Sequence, residues 1–303
     1  MTTGDPIRHL RRDQLEDARW NAVIRDAPNG RIYATTEYLD HMADNWDALV
    51  LGNYAAVMPL PWRRKFGISY LYQPALTAQL GIFGNDITGK TVESFLDAIP
   101  SRFRLWDLSL NQGNLFDDVS YDLSVRINYV LNLDHPYDAL SANYRDNIRR
   151  NIRKCRELGC TADRDFPVEE VIGIVRLQPM GLADADLEHF KKLYPVLRDR
   201  QQATTYGIRS AGGDLMASCV FFFSHGRAYY ILVGNHPNGR TLGASHALID
   251  AFIRDHAGKQ MLLDFEGSDL RNLAFFYSSF GAMEEHYPAI HLNRLPRLIR
   301  WLK

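Results

Sequence analysis

Apolar residues along the chain switch between a helical and an alternating spacing, and the switches mark its elements. The first half opens with helical patterns in "RDQLEDARWNAVIRD" and "TTEYLDHMADN". Extended runs follow in "WDALVLG", "NYAAVMPLPW", "ISYLYQPAL" and "QLGIFG", separated by turn residues. The helix "TVESFLDAI" precedes the strand "FRLWDLSLN", and "SVRINYVLNL" reads as two closing strands. The basic turn "PWRRKFG" (residues 61–67) joins two of the earlier strands and reads as surface.

The second half begins with one long helix, "YDALSANYRDNIRRNIRKCRELG", which Gly159 ends as a C-cap. A second helix lies in "DADLEHFKKLYPVLRDR", followed by strands "ATTYGIRS", "LMASCVFFFSHG" and "RAYYILVGN". The helix "ASHALIDAFIRDHAG", the strand "QMLLDFEG" and the helix "DLRNLAFFYSSFG" come next. Terminal strands around "MEEHYPAIHLNRL" and a short helix "RLIRWLK" close the chain. This mixed order predicts an α+β (α/β) layer fold in which a crossover helix makes one parallel strand pair. A chain of 303 residues exceeds one ordinary core, so two domains are expected, 1–137 and 138–303. The halves also match each other. "SFLDAIPSRFRLWDLSLN" lies over "ALIDAFIRDHAGKQMLLDFEGS", each a helix feeding an acid-bearing strand, while "QGNLFDDVSYD" stands in the first half where the second has a tyrosine-bearing helix.

A formal net charge of −1 argues against whole-molecule attraction to nucleic acid or an anionic membrane. Three cysteines, Cys155, Cys160 and Cys219, have no zinc spacing and suit a reducing cytoplasm as packing residues. No signal-like apolar region and no membrane-length apolar run is visible. His225, His236, His246 and His256 are not paired with carboxylates at ligand spacing, so no metal is expected.

Four groups of residues carry candidate chemistry, each beside a structural alternative. Arg240, Gly243, Ala244 and Ser245 in "RTLGAS" precede a helix, where unpaired N–H groups favour an anion; the alternative is an ordinary helix start after a glycine turn. Tyr277 shares a helical stripe with Leu273, Phe276 and Phe280, so it is either a core tyrosine or a phenol poised as general acid. Asp264 and Glu266 alternate on one strand and would face the same side near its C-terminal end. Either accepts an amine proton, with Glu266 nearer the strand end, or both serve only backbone groups and solvent. Arg145, Arg149 and Arg153 recur every four residues, next to Arg150 and Lys154; they form a solvated face or a phosphate-binding one.

Three of these stretches carry a resemblance. "NYRDNIRRNIRKCRELG" is similar to the basic helix that opens the second domain of Fem-type proteins. "RTLGAS" is similar to the phosphate loop of GNAT acyltransferases, and "DFEGS" with "NLAFFYSSFGA" to their last strand and tyrosine-bearing helix. The second half thus resembles a GNAT acyltransferase, and the paired halves resemble the Fem-type (FemABX) branch. Ser245 and Ala282 depart from the pattern, which has a small residue and a phenylalanine there. The resemblance implies two tandem GNAT-like domains, the first degenerate and the second carrying the site. It implies transfer of an acyl or aminoacyl group from acyl-CoA or aminoacyl-tRNA to an amine of a small or peptide-like acceptor. No cofactor would be permanently bound. In that role Tyr277 would protonate the leaving group and Glu266 or Asp264 would take the amine proton. Arg240, Gly243, Ala244 and Ser245 would hold the donor's phosphates, and Arg145, Arg149 and Arg153 would border the substrate channel. A binding protein on a decayed scaffold is the alternative from another class.

Overall fold

The computed structural model describes residues 5–178, 181–267 and 270–296, and the side chain of Arg240 lies outside the description. In chain order the first elements are β1 (Ile7–Arg11), α1 (Asp17–Asp26), α2 (Thr36–Met42), β2 (Trp46–Leu51), β3 (Ala56–Lys65), β4 (Ile68–Leu71), β5 (Phe83–Gly84), α3 (Gly89–Asp97), β6 (Leu105–Ser109) and β7 (Ser124–Asn132). Next come α4 (Tyr137–Ala142), α5 (Asp146–Glu157), β8 (Thr161–Arg164), α6 (Val168–Val175), α7 (Asp184–Asp199), β9 (Ala203–Arg209), β10 (Leu215–Ser224) and β11 (Arg227–Asn235). The last are α8 (Gly239–Leu242), α9 (Ala244–His256), β12 (Leu262–Asp264), α10 (Arg271–Ser278) and β13 (Met283–Asn293).

The chain divides into a unit made of Met1–Arg126 with His286–Lys303 and a unit made of Ile127–Glu285. This shifts the division expected at residue 137. β7 supplies Val130, Leu131 and Asn132 as partners of β12 and so belongs with the second unit, while the distal part of β13 pairs with β6 in the first. Hydrogen-bonded partners, rather than the punctuation at His135-Pro136, decide which unit a strand joins.

In the first unit β1, β2, β3 and β4 form antiparallel neighbours, and β4 meets β6 in parallel at Leu71 and Trp106. Helix α3 connects that parallel pair and buries Val92, Phe95 and Leu96 in a core with Leu49, Leu71 and Trp106. Past the parallel contact, residues of the β4–β5 connection occupy the position next to β6. Gln73 accepts from the Ser109 N–H at 3.1 Å, the Leu80 N–H donates to the Ser109 carbonyl at 2.8 Å, and Leu80 bridges to Leu110.

The second unit carries the sheet order β7-β12-β11-β10-β9-β8, with β11 and β12 its parallel pair. Alternation along the long strands sends residues to both faces. Tyr206, Cys219, Phe221 and Tyr230 meet Ile148 of α5, Phe252 of α9 and Tyr277 of α10. On the opposite face Phe222 stacks on Phe190 of α7 at 5.3 Å. Both units therefore show a helix-linked parallel pair inside a mixed sheet, the arrangement expected from the internal match.

Several local expectations change. The long helix is two, α4 and α5, because Arg145 is extended (φ −70°, ψ 157°) and caps the second. "SVRINYVLNL" is one strand, not two, and β1, β8 and α6 were not expected. Gly159 closes α5 as predicted: at φ +71° it lets the Cys160 N–H donate back to the Cys155 carbonyl at 3.1 Å. The expected helix "RLIRWLK" lies outside the described residues.

Candidate functional site

Strands β11 and β12 are paired at Arg227–Leu262, Ala228–Leu263 and Tyr229–Asp264, and no further. From Tyr230 onward β11 stays with β10 as far as Asn235. The chain after Asp264 instead follows β7, where the Phe265 N–H donates to the Tyr129 carbonyl at 3.0 Å. Each strand keeps its outer neighbour and loses its inner one. Parallel strands that part in this way open a crevice at their C-terminal ends and leave one backbone edge for an extended ligand. A bulge marks the opening: Ser218 pairs with Gly234 and Val220 with Ile231, so β11 carries an extra residue, and Leu232 takes φ +49°.

Tyr277 stands where the strands part. Its ring stacks on Phe265 at 4.6 Å and meets Tyr230 edge-on at 6.5 Å, leaving the residue 7% exposed. Burial raises the phenol above its usual range and the charge of Glu266 raises it further, so it stays protonated at neutral pH. The stripe that predicted this tyrosine holds only in part, since Leu273 is 40% exposed.

The two acids do not share a strand face. β12 ends at Asp264, and Glu266 lies beyond it in a left-handed conformation (φ +65°). Asp264 is 3% exposed and pairs with Arg227 at 2.8 Å; it also accepts from Asn128 at 2.9 Å and from the Glu266 N–H at 3.0 Å. Arg227 bridges on to Glu285 at 3.0 Å. Asp264 thus ties β12 to β11 and β7 and shapes the turn that presents Glu266. Sequence reasoning missed Arg227, Asn128 and Tyr230, whose partners lie far away along the chain.

"RTLGAS" is not an open loop. Gly239–Leu242 form the helical turn α8, Gly243 follows at φ +74°, and α9 begins at Ala244. A Cβ on Gly243 would lie 2.6 Å from the Asn151 carbonyl, so the glycine admits α5. Ala244 is buried, and the Ser245 hydroxyl donates to Asn235 at the end of β11. The next residue, His246, packs edge-on to Phe276 at 5.0 Å with Nδ1 buried and unpartnered, and burial lowers its pKa to about 4.

The basic residues separate. Arg145 lies over the Phe275 ring at 4.8 Å, beside the helix that carries Tyr277. Arg149 donates to the Ala142 carbonyl at 2.7 Å and closes α4. Arg153 is exposed, as are Arg150 and Lys154, and these three have no ion-pair partner among the described residues.

The comparisons accord with this geometry. Residues 142–271 match the family model described as acetyltransferase (GNAT) domain. The whole chain is similar to the crystal structure of FemX, with a TM-score of 0.66 and 12% identity over 97% of this chain and 99% of that one. It is also similar to L-PGS from Bacillus licheniformis (TM-score 0.59, 13% identity, 93% of each chain). A third similar structure is the C-terminal DUF2156 domain of a protein assigned as a lysylphosphatidylglycerol synthetase from Agrobacterium fabrum (TM-score 0.57, 10% identity, 91% of each chain). A search of curated proteins gave no match. Residues 142–271 therefore match a GNAT acetyltransferase domain, and the chain as a whole shares its fold with FemX.

Proposed function

We propose that the protein transfers an acyl or aminoacyl group from an activated donor to an amine, at the opening between β11 and β12. The parting of these strands after Tyr229 and Asp264 carries the reading, because it frees a strand edge to hold an extended donor. The amine attacks the carbonyl carbon directly, the carbon–oxygen or carbon–sulfur bond to the leaving group breaks, and no covalent enzyme intermediate forms. Glu266, or a water it orients, takes the amine proton, and Tyr277 protonates the departing atom. Backbone N–H groups near the bulge at Leu232 supply stabilisation for the oxyanion.

One feature favours an ester donor such as aminoacyl-tRNA over acyl-CoA. A phenol with a raised pKa is poorly matched to a thiolate, which leaves readily without a proton, and well matched to a strongly basic sugar oxygen. The names FemX and lysylphosphatidylglycerol synthetase agree with aminoacyl transfer without naming this chain's acceptor. Calorimetry with acetyl-CoA and with a charged tRNA mixture separates the donors. Tyr277→Phe tests the chemistry: turnover should fall roughly 10²–10⁴-fold, the usual span for a lost general acid, with the melting temperature nearly unchanged. Unaltered turnover rejects the proton-donor role.

The second reading is a binding protein on the same scaffold. It is favoured by the packing of Tyr230, Phe265 and Tyr277 against one another where the strands part. Absence of transfer with every activated donor, together with tight binding of one of them, would establish it.

A further inference from the structure

In the first unit, one of the largest fully buried side chains is charged. Arg31 is 2% exposed and ranks with Trp20, Tyr33 and Tyr38 in that class. Its Nη1 donates to the Gly30 carbonyl at 3.0 Å and, at 3.5 Å, to the Asn29 carbonyl. Nε and Nη2 are buried and have no hydrogen-bond partner. No carboxylate among the described residues makes an ion pair with this guanidinium.

The two unsatisfied atoms are not an arbitrary pair. Nε and Nη2 lie along one edge of the planar guanidinium, the edge whose parallel N–H bonds receive both oxygens of a carboxylate. Arginine keeps its charge inside folded proteins, and a buried charge without a partner is among the most unfavourable features a fold can contain. Buried polar groups therefore nearly always find a protein, water or ion partner.

The chain on either side of Arg31 is held by long-range hydrogen bonds. Arg31 leads into the short 3-10 turn Ile32–Ala34, whose Ala34 carbonyl accepts the Trp20 indole N–H at 2.7 Å. On its other side, the Asn29 amide donates to the Ile82 carbonyl at 2.8 Å and to Asn111 at 3.0 Å.

We propose that the Nε–Nη2 edge of Arg31 is a binding site for one small planar oxyanion of the carboxylate class, enclosed in the first unit. Because Arg31 is nearly closed to solvent, the ligand is taken to be a small one such as formate, acetate or nitrate. Its role is that of a resident counter-ion, and the inference stands whether or not the second unit is a transferase.

The experiment uses the full chain, dialysed free of carboxylates and melted in sodium formate or in sodium chloride of equal ionic strength. Formate should raise the wild-type melting temperature by roughly 2–5 °C relative to chloride, as expected for a ligand well above its dissociation constant. Arg31→Met should lose that difference, and Arg31→Lys, a point charge without the fork, should keep only a small part of it. An equal rise in wild type and Arg31→Met would be a general salt effect and would overturn the proposal. If Arg31→Met fails to fold, a crystal structure of the wild type grown with nitrate decides. A planar group of density against Nε and Nη2 supports the site, whereas an ordered water there, or no density, overturns it.

Discussion

Within hydrogen-bonding distance of the Asp264 carboxylate stand Arg227 and Asn128, in surroundings nearly closed to solvent. Removing one partner of a buried ion pair leaves the other charge stranded, at a cost of about 3–5 kcal/mol. Arg227→Met should therefore lower unfolding stability by about that amount in urea titration, because Asp264 and Glu285 would both lose their cation. A loss below ~1 kcal/mol would show that the network is not holding the strands. His246 makes a prediction in pH. Its imidazole, set against Phe276 and Asn151, has a folded pKa of about 4 against the ordinary 6.5. Between those values the unfolded chain binds the extra proton, so stability rises with pH across the window and is lost as pH falls from 6.5 towards 4. On the order of 3 kcal/mol is at stake, and His246→Gln should flatten that slope in melts taken across the window. Tyr277 and Glu266 could be picked out from the sequence because they are near each other along the chain and near a strand end. The Arg227–Asp264 pair could not, since a salt bridge between distant residues leaves no local pattern, and nothing in the sequence showed Asp264 to be engaged.

Elements were readable where local chemistry decides them. Gly159 marked the end of α5 because only a left-handed residue lets Cys160 bond back to Cys155. The break between α4 and α5 was not readable, since the polar residues around Asn143 suit a helix as well as an interruption. What forces the break is tertiary: the Arg145 N–H donates to the Ser279 carbonyl at 2.9 Å, and a Cβ on Gly281 would already touch Asn143 at 3.0 Å. Gly243 has a packing role that the sequence did not reveal. Besides the close backbone approach expected there, the glycine admits α5. Gly243→Ala should accordingly destabilise by about 1–3 kcal/mol, since it meets both a positive φ and the Asn151 carbonyl at 2.6 Å. Chemical denaturation measures the loss. A neutral effect would mean that α5 can retreat without penalty.

At the scale of the whole chain, each half has a parallel strand pair linked by a helix, and the two pairs end differently. In the second unit the strands separate and the backbone edge of β11 beyond Tyr229 is left without a strand on that side among the described residues. In the first unit Gln73 and Leu80 close in on Ser109 and Leu110, and its own chain takes the place that a ligand would need. That contrast is a difference between the two units in how their parallel pairs end. It was foreshadowed in sequence only by "QGNLFDDVSYD" standing where a tyrosine helix was expected.

The unit boundaries lead to a prediction about fragments. A cut at 137/138 follows the visible punctuation, but it removes the β7 residues that pair with Leu262, Leu263 and Asp264. It also removes Tyr129, whose carbonyl receives the Phe265 N–H and whose hydroxyl reaches Glu284 at 3.0 Å. Without β7, the short β12 would keep only its contact to β11, and the exposed edge of an apolar strand invites aggregation. The fragment 127–285 retains both neighbours of β12 and the complete Arg227–Asp264–Glu285–Asn128 network. It should unfold cooperatively in urea, while the fragment 138–303 should show weak cooperativity or precipitate. Equal behaviour of the two would mean that β7 is dispensable to the second unit. The parting of β11 from β12 would then need a support other than the strand that now holds β12 away.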